Sequence, residues 1–418
     1  MNQLEALVYK KVKNNYKVKN FVRNLYQGFY DLLPNYDSKF MQEPVVHAGS
    51  FYGFHDTNPF SPDGSKHLAY RLRIPLRMPT ATDVLDVGYW TGDAFSEWHK
   101  IGATLSWNYH KGCRLQWVGE SDECIYNVYA DGRMRSSVCN VVTGAERLLD
   151  WPVDTVSPDG RLAASFSYER LEQMMHGYGY VFGDDDSFLN EDEPAGTGLF
   201  VIDLGRNERR LLLSLEAIAA FEREDSMQGM FHFVTHTEFS PDGRYVSFLH
   251  RWYKGTSRNT RLIVYDLKEH RMYASPTTGM VSHYAWNREG GIVAYCRVED
   301  VDSHVYFDSA QMKSWKRCGF PQLNSDGHQH FIDNDWFLTD TYPDKWRHCK
   351  LYKVNRRTDE VVLLADVKSP RRFVSPDEKH HWKCDLHPRC DADGKWVSFD
   401  SVHTGERSLC IMPISNNG

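Results

Sequence analysis

The turn Ser-Pro-Asp-Gly occurs three times in this chain, and its repetition constrains the possible fold more than any other feature. The copies lie at residues 61–64, 157–160 and 240–243, with weaker versions at 287–290 and 391–394. Glycine supplies the positive φ of a tight hairpin turn, and the flanking residues alternate between apolar and polar. This pattern predicts a series of β-hairpins.

Two degenerate turns, at residues 119–122 and 332–335, bring the set to seven. Most turns are separated by about 40 to 60 residues, close to the period of four-stranded propeller blades. We therefore predict an all-β, seven-bladed β-propeller over residues 41–418, with residues 1–40 as a helical segment. The last repeat has only three strands, and we expect residues 43–47 to supply its outer strand. Such closure removes exposed sheet edges.

The interval between the turns at residues 157–160 and 240–243 is longer than the others, which indicates insertions in this repeat. They lie at residues 168–198 and at residues 211–229, and we expect the second to be helical. Both should lie over one face of the propeller and could border a site.

The N-terminal residues 1–34 combine basic residues with helical periodicity. The apolar residues recur at spacings of three and four: Val18, Phe21, Val22, Leu25, Phe29 and Leu32. The basic residues between and before them are Lys10, Lys11, Lys13, Lys17, Lys19 and Arg23. Such a helix could lie on an anionic membrane surface or a partner, or it could pack on the propeller with its lysines in solvent.

Composition excludes several classes of function. The net charge of −7, from 49 basic and 56 acidic residues, offers no electrostatic footprint for nucleic acid. The nine cysteines occur singly, which argues against a disulfide framework or a zinc ribbon and fits reduced thiols. We expect a cytoplasmic protein, because the sequence shows neither a long apolar run nor a signal peptide.

Aligning the repeats on their turns places four histidines at the same position in different blades. His236, His283, His328 and His387 each lie four residues before the turn of their repeat. Equivalent positions of propeller blades converge on the central channel, so the four imidazoles should ring one of its mouths. Asp385 lies two residues before His387, on the same side of an extended chain.

These residues could form a site for a divalent metal. His283, His328 and His387 would be ligands, completed by Asp385 or by water. A mixed set of imidazole and carboxylate suits manganese, iron or zinc. In the alternative interpretation, the histidines hydrogen-bond neighbouring blades and fill the channel.

Further residues could contact a substrate. They are His55, His110, Arg251, Trp252, Tyr342, Lys345 and Arg389. Arg251 and Trp252 place a cation beside an aromatic ring, which suits an acidic sugar, and Arg389 could bind an anion or pair with Asp385. Each residue also has a structural interpretation, such as a strand-end salt bridge or a core contact.

Three short runs, at residues 280–286, 325–328 and 384–388, resemble the blade starts of oligogalacturonate lyases. These lyases are seven-bladed propellers, more distantly related to propeller ulvan lyases, and the resemblance spans about residues 45–414. It implies a manganese ion held partly by His283 and His387, with His236 resembling the proposed catalytic base.

The chain departs from the family's Gln-x-x-His-x-His motif in two places. Trp382 replaces the Gln and Asp385 replaces the first His, while His387 fits the last position.

The resemblance implies β-elimination on a uronic acid in an acidic oligosaccharide. A metal or an arginine would neutralise the carboxylate, and Arg251 is assigned to this role by its chemistry alone. Neutral His236 would remove the adjacent proton, and water or Tyr342 would protonate the leaving oxygen.

Two other functions stay open. One is a cytoplasmic carbohydrate-binding or sugar-modifying protein of surface-polysaccharide biosynthesis, peripheral at the inner membrane. The other is a non-catalytic propeller scaffold.

Overall fold

The structure, a computed structural model, describes residues 16–33, 36–377 and 379–414. The basic residues Lys10, Lys11 and Lys13 lie outside this part of the chain. The described strands form seven antiparallel sheets, which confirms the predicted seven-bladed β-propeller. The described α-helices are α1 (Tyr16–Tyr30), α2 (Tyr168–Met174) and α3 (Leu215–Ala220). None of them is long and apolar enough to cross a membrane.

The strands follow the chain blade by blade, and each blade starts at the channel. Two short strands come first: β1 (Lys39–Phe40) and β2 (Val45–Ala48). Blade one contains β3 (Ser50–Phe51), β4 (His67–Arg71), β5 (Leu85–Thr91) and β6 (Glu97–Thr104). Blade two contains β7 (Gln116–Trp117), β8 (Glu123–Ala130), β9 (Arg133–Asn140) and β10 (Glu146–Leu149). Blade three contains β11 (Thr155–Val156), β12 (Leu162–Ser165), β13 (Gly198–Asp203) and β14 (Glu208–Ser214).

The remaining blades repeat this order. Blade four contains β15 (Phe231–Phe239), β16 (Tyr245–Lys254), β17 (Ser257–Asp266) and β18 (Arg271–Ala274). Blade five contains β19 (Val281–Trp286), β20 (Ile292–Val298), β21 (Val301–Phe307) and β22 (Trp315–Arg317). Blade six contains β23 (His330–Phe331), β24 (Trp336–Asp340), β25 (His348–Asn355) and β26 (Val361–Lys368). Blade seven contains β27 (Arg389–Cys390), β28 (Trp396–Ser401) and β29 (Ser408–Pro413).

The start of the chain closes the ring. Strand β2 pairs with β29, so that Val46 lies opposite Cys410, and the expected outer strand of blade seven is confirmed. Strand β1 pairs with β26 and adds a fifth strand to blade six. The insertion expected to be helical at residues 211–229 begins as the end of β14 and continues as α3, so only part of it is helical.

The side chains of the repeated turn explain why it recurs. In blade four, Ser240 Oγ donates to Asp242 Oδ1 at 2.5 Å and accepts from the backbone N–H of Tyr245 at 2.9 Å. Gly243 has φ 69°, and its N–H donates to the carbonyl of Ser240 at 2.8 Å. The serine and aspartate therefore satisfy the backbone groups of the turn, while glycine provides the left-handed conformation.

The middle strands of the blades are buried on both faces rather than alternating. Every residue of β20 except Arg297 is buried. This burial follows from blade-on-blade packing, because each sheet lies between two others. One core cluster, for example, joins Leu249 and Val264 of blade four with Ala294 and Val305 of blade five.

A segment between β3 and β4 of blade one, residues 52–58, enters the central channel. Asp400 accepts from the backbone N–H groups of Tyr52 at 3.0 Å and Gly53 at 2.7 Å, and Arg389 Nη1 donates to the carbonyl of Gly53 at 2.6 Å. Gly53 has φ 99°, and a Cβ there would lie 2.8 Å from the carbonyl oxygen of His110. These constraints place the next two residues, Phe54 and His55, inside the channel.

Helix α1 packs on the loop at residues 341–347 of blade six. Gln27 Nε2 donates to the carbonyl of Asp344 at 2.8 Å, and Arg347 Nε donates to Asp31 Oδ1 at 2.7 Å. The ring of Tyr30 packs against that of Trp346, with 4.6 Å between centroids, so polar and aromatic groups together form the contact. Three of the predicted apolar residues face solvent, with exposed fractions of 69%, 60% and 83% for Leu25, Phe29 and Leu32.

Candidate metal centre

Four histidines from four blades converge on the ring of Phe54. The centroid of its ring lies 4.9 Å from that of His236, 5.8 Å from His283, 5.9 Å from His328 and 5.0 Å from His387. The convergence inferred from the register of the turns is therefore present. All four imidazoles are buried at this end of the channel, which we call the histidine mouth.

Backbone irregularities aim these side chains at the channel. The pairing of β15 with β16 shifts register around His236, and that of β19 with β20 shifts around His283. His236 and His387 have positive φ values of 55° and 46°. Bulges re-aim side chains, and non-glycine residues with positive φ cluster at functional sites.

Three of the predicted ligands form a compact group at the histidine mouth. One ligand atom each of His328, Asp385 and His387 lies within 4.8 Å of the others, and all three residues are buried. Two imidazoles and a carboxylate are a donor set that suits manganese, iron or zinc. The fourth predicted ligand, His283, lies beside this group and is not one of its three members. Its ring centroid is 4.1 Å from that of His328, and its Nδ1 is 3.4 Å from Asp326 Oδ1.

Asp340 orients two members of this group. Its Oδ1 lies 2.8 Å from both the backbone nitrogen and Nδ1 of His328, and its Oδ2 accepts from the backbone N–H of His387 at 3.0 Å. Because Nδ1 of His328 donates to the carboxylate, its Nε2 carries the lone pair that a metal requires. The sequence analysis assigned no role to Asp340.

The charges at the mouth shift the pKa values of Asp385 and His328 in opposite directions. Burial opposes a charge on His328, but Asp340, Asp385 and Asp326 outweigh it and raise its pKa. Burial likewise opposes the charge on Asp385, yet Lys383, with Nζ 2.7 Å from Oδ2, and His328 hold the pKa of Asp385 below its usual value. Asp385 is therefore an anionic ligand, whereas the surrounding carboxylates make His328 more basic than a free imidazole.

His55 and His110 also reach the mouth. The ring of His55 lies 5.2 Å from that of His328, measured between centroids. His110 stacks on Tyr178 at 4.4 Å with an interplanar angle of 8°. Tyr178 belongs to the insertion at residues 168–198, so this insertion does border the histidine mouth.

Arg251 and Tyr342 lie next to the histidines. Arg251 Nη1 donates to the hydroxyl of Tyr253 at 2.7 Å, and its charge contributes to the lowered pKa of His236, after burial and Lys111. The ring of Tyr342 lies 5.7 Å from that of His328. Burial, followed by the charge of Asp326, raises the pKa of Tyr342 well above its ordinary value, so its hydroxyl is protonated.

Three residues expected to bind substrate have other contacts, which do not fit that role. Trp252 is fully buried against Met227 and Met230, so it has no exposed face for a sugar. The guanidinium of Arg389 is fully buried and is engaged by the contacts that hold residues 52–58 in the channel. The cation beside Asp385 is Lys383 and not Arg389. Lys345 lies with Nζ 5.1 Å from the ring centroid of Tyr30, under helix α1.

No protein-family model matches the chain, and no curated protein matches it. A crystal structure of oligogalacturonate lyase from Vibrio parahaemolyticus is similar, with 11% identity over 92% of this chain and 98% of that chain and a TM-score of 0.57. An oligogalacturonate lyase in complex with manganese has the same identity and coverage with a TM-score of 0.44. The tricorn protease has 11% identity over 89% of this chain and 42% of that chain, with a TM-score of 0.48. At these identities the likeness shows the propeller fold alone.

The buried histidines predict a loss of stability in acid. Burial lowers the pKa values of His55, His110, His236 and His387 well below that of a free histidine, about 6.5. The unfolded chain therefore takes up protons below about pH 6.5 that the folded chain does not, at a cost of up to about 1.4 kcal/mol per pH unit for each histidine. Urea unfolding of metal-free protein between about pH 7 and pH 5 should show this fall.

Two variants test whether the buried histidines cause this loss of stability in acid. The slope of the unfolding free energy against pH gives the number of protons taken up on unfolding, and His387→Gln should lower this number by up to one. His99→Gln, at a histidine whose side chain is 48% exposed on blade one, should leave it unchanged. Equal slopes for wild type and His387→Gln would contradict the assignment.

Proposed function

We propose that the protein is a metal-dependent lyase that cleaves uronic-acid-containing oligosaccharides by β-elimination at the histidine mouth. The observation that carries this proposal is the compact group of His328, Asp385 and His387, with Asp340 behind it. Manganese is the expected ion, with zinc or iron as alternatives that the same donor set accepts.

The residues present fit a divalent ion. His328, Asp385 and His387 would hold it, since their ligand atoms lie within 4.8 Å of one another. When bound, the ion would neutralise a substrate carboxylate and acidify the neighbouring C–H group. Asp340 keeps the imidazole of His328 in the required tautomer.

The chain supplies a base, an acid and positive charge around this group. Burial lowers the pKa of His236, so its imidazole is neutral and can accept the proton from C5 of a uronate. As the C4–O bond breaks and a C4=C5 double bond forms, the protonated Tyr342 can donate to the leaving oxygen. Arg251 and Lys383 provide the cationic surroundings that favour an acidic sugar.

The test combines metal content with activity on oligogalacturonate and other uronate oligosaccharides. Wild-type protein should hold one divalent ion and form an unsaturated uronate that absorbs in the ultraviolet. Asp385→Asn should lose both the metal and the activity, because it removes the anionic ligand. His236→Ala should keep the metal and lose activity by about 10²- to 10⁴-fold, the usual contribution of a general base.

The matched control is Asp393→Asn, at an exposed aspartate of the blade-seven turn whose side chain is 66% exposed. It should change neither quantity. Wild-type protein that takes up no manganese, zinc or iron would refute the metal-dependent mechanism and leave the histidines as channel filling in a non-catalytic scaffold.

A second candidate function follows from helix α1. The exposed apolar residues Leu25 and Phe29 of the helix, and Leu32 just after it, belong to a segment that is basic in sequence. We propose that residues 1–34 contact an anionic bilayer surface, so that the propeller works on sugars at the cytoplasmic face of the inner membrane. The channel site would then bind or modify a sugar of surface-polysaccharide biosynthesis.

Vesicle sedimentation tests the membrane contact. The protein should co-sediment with phosphatidylglycerol vesicles, and less with phosphatidylcholine vesicles, because the lysines favour anionic lipid. Phe29→Ser/Leu32→Ser should abolish the binding, whereas the control Val142→Ser/Leu148→Ser, at exposed apolar residues of blade two, should retain it. Equal binding by both double variants would rule out α1 as the contact.

A further inference from the structure

Arg251, beside the histidine mouth, is a buried cation that pairs with no carboxylate of the described chain. It lies on β16 of blade four and is 8% exposed. Both of its hydrogen-bond acceptors are neutral, because Nη1 donates to the hydroxyl of Tyr253 at 2.7 Å and to Oγ1 of Thr260 at 3.3 Å. A guanidinium keeps its charge in proteins, so titration does not remove the imbalance. Buried charges are normally paired, which indicates that the partner of Arg251 comes from a ligand.

The edge of the guanidinium that suits a carboxylate carries the Nε and Nη2 donors. Arg297 presents this edge to Asp302, with Nε 2.6 Å from Oδ1 and Nη2 3.1 Å from Oδ2. Arg347 donates to both carboxylate oxygens of Asp31 in the same way. In Arg251, by contrast, the buried Nε has no hydrogen-bond partner and Nη2 makes no hydrogen bond within the described chain. This edge can therefore donate two parallel bonds to one carboxylate.

Arg251 lies close to the proposed base and away from the proposed metal group. Its positive charge contributes to the lowered pKa values of His236 and His283, although burial is the largest cause for both. The three residues of the metal group come from the starts of blades six and seven, which lie two and three blades from blade four around the ring. A substrate held at the metal group would therefore extend past His236 before it reaches Arg251.

We propose that Arg251 is a second anion-binding subsite, which takes the carboxylate of a sugar adjacent to the uronate that reacts at the metal group. This inference rests on the lyase proposed above and specifies its substrate class, which is an oligosaccharide with uronic acids on neighbouring residues. A substrate whose uronates are separated by neutral sugars would leave the buried guanidinium without a partner, at a cost in affinity.

This role differs from neutralisation of the reacting carboxylate. A group that acts on the charge developing in the reaction binds the transition state more strongly than the substrate, and its removal lowers kcat. A contact with a neighbouring sugar is the same in both states, and its removal raises KM. The loss of Arg251 should therefore raise KM and leave kcat nearly unchanged.

Calorimetry with two matched trisaccharides tests the subsite without turnover. The first is trigalacturonate, and the second has galactose at both ends, so that only its middle sugar carries a carboxylate. The protein is full-length His236→Ala with manganese, which lacks the proposed base. Trigalacturonate should bind at least about tenfold more tightly, because the second trisaccharide lacks the carboxylate that pairs with the guanidinium. Equal affinities would overturn the proposal.

Arg251→Gln in the same protein should remove this difference. It should weaken trigalacturonate at least about tenfold and change neither the affinity for the second trisaccharide nor the metal content. Arg251→Lys keeps the charge without the paired donors and should give an intermediate affinity, and melting temperatures report whether both variants are folded. Lys268→Gln, at an exposed lysine of the same blade, is the control and should keep the difference. A folded Arg251→Gln protein that still distinguishes the two trisaccharides would refute the assignment.

Kinetics with His236 intact separates the subsite from the proposed activity. Arg251→Gln should raise KM for trigalacturonate at least about tenfold and change kcat by less than about threefold. A large fall in kcat at unchanged KM would place Arg251 at the reacting carboxylate and overturn the proposal. Cleavage of neither trisaccharide would refute the lyase, whereas equal affinities for the two would refute the subsite, so the two failures are distinct.

Discussion

One carboxylate, that of Asp340, connects the two histidines on which the proposed chemistry depends. It accepts from the side chain and backbone of His328 before blade six and from the backbone of His387 before blade seven. A buried carboxylate with these bonds fixes the distance between two blades and the tautomer of one imidazole. The compact group with Asp385 exists because this contact holds both histidines in place.

The same channel must also be filled, and the chain fills it with a polar segment. Phe54 and His55 enter from blade one, held by the bonds of Asp400 and Arg389 to the adjacent backbone. The ring of Phe54 then lies against the four imidazoles of the histidine mouth. The charge of Lys383 offsets that of Asp385 at the mouth.

Local patterns in the sequence were sufficient for the fold and for the convergence of the histidines. In the three Ser-Pro-Asp-Gly turns the serine, aspartate and glycine satisfy the backbone of the turn, and the weaker turns follow the same spacing. Register relative to the turns then places His236 and His283 at the channel. Asp340 could not be assigned in this way, because it meets His387 only through packing of adjacent blades. Trp252 could have been assigned correctly, since neighbours on a strand point to opposite faces and Arg251 faces the channel.

The position of a bound ion is the most direct test of the account. Crystals grown with manganese should show one anomalous peak within coordination distance of His328, Asp385 and His387, with Asp340 still bonded to His328. A peak elsewhere, or unchanged histidines with no peak at the mouth, would contradict the account. The histidines would then serve to fill the channel and join its blades.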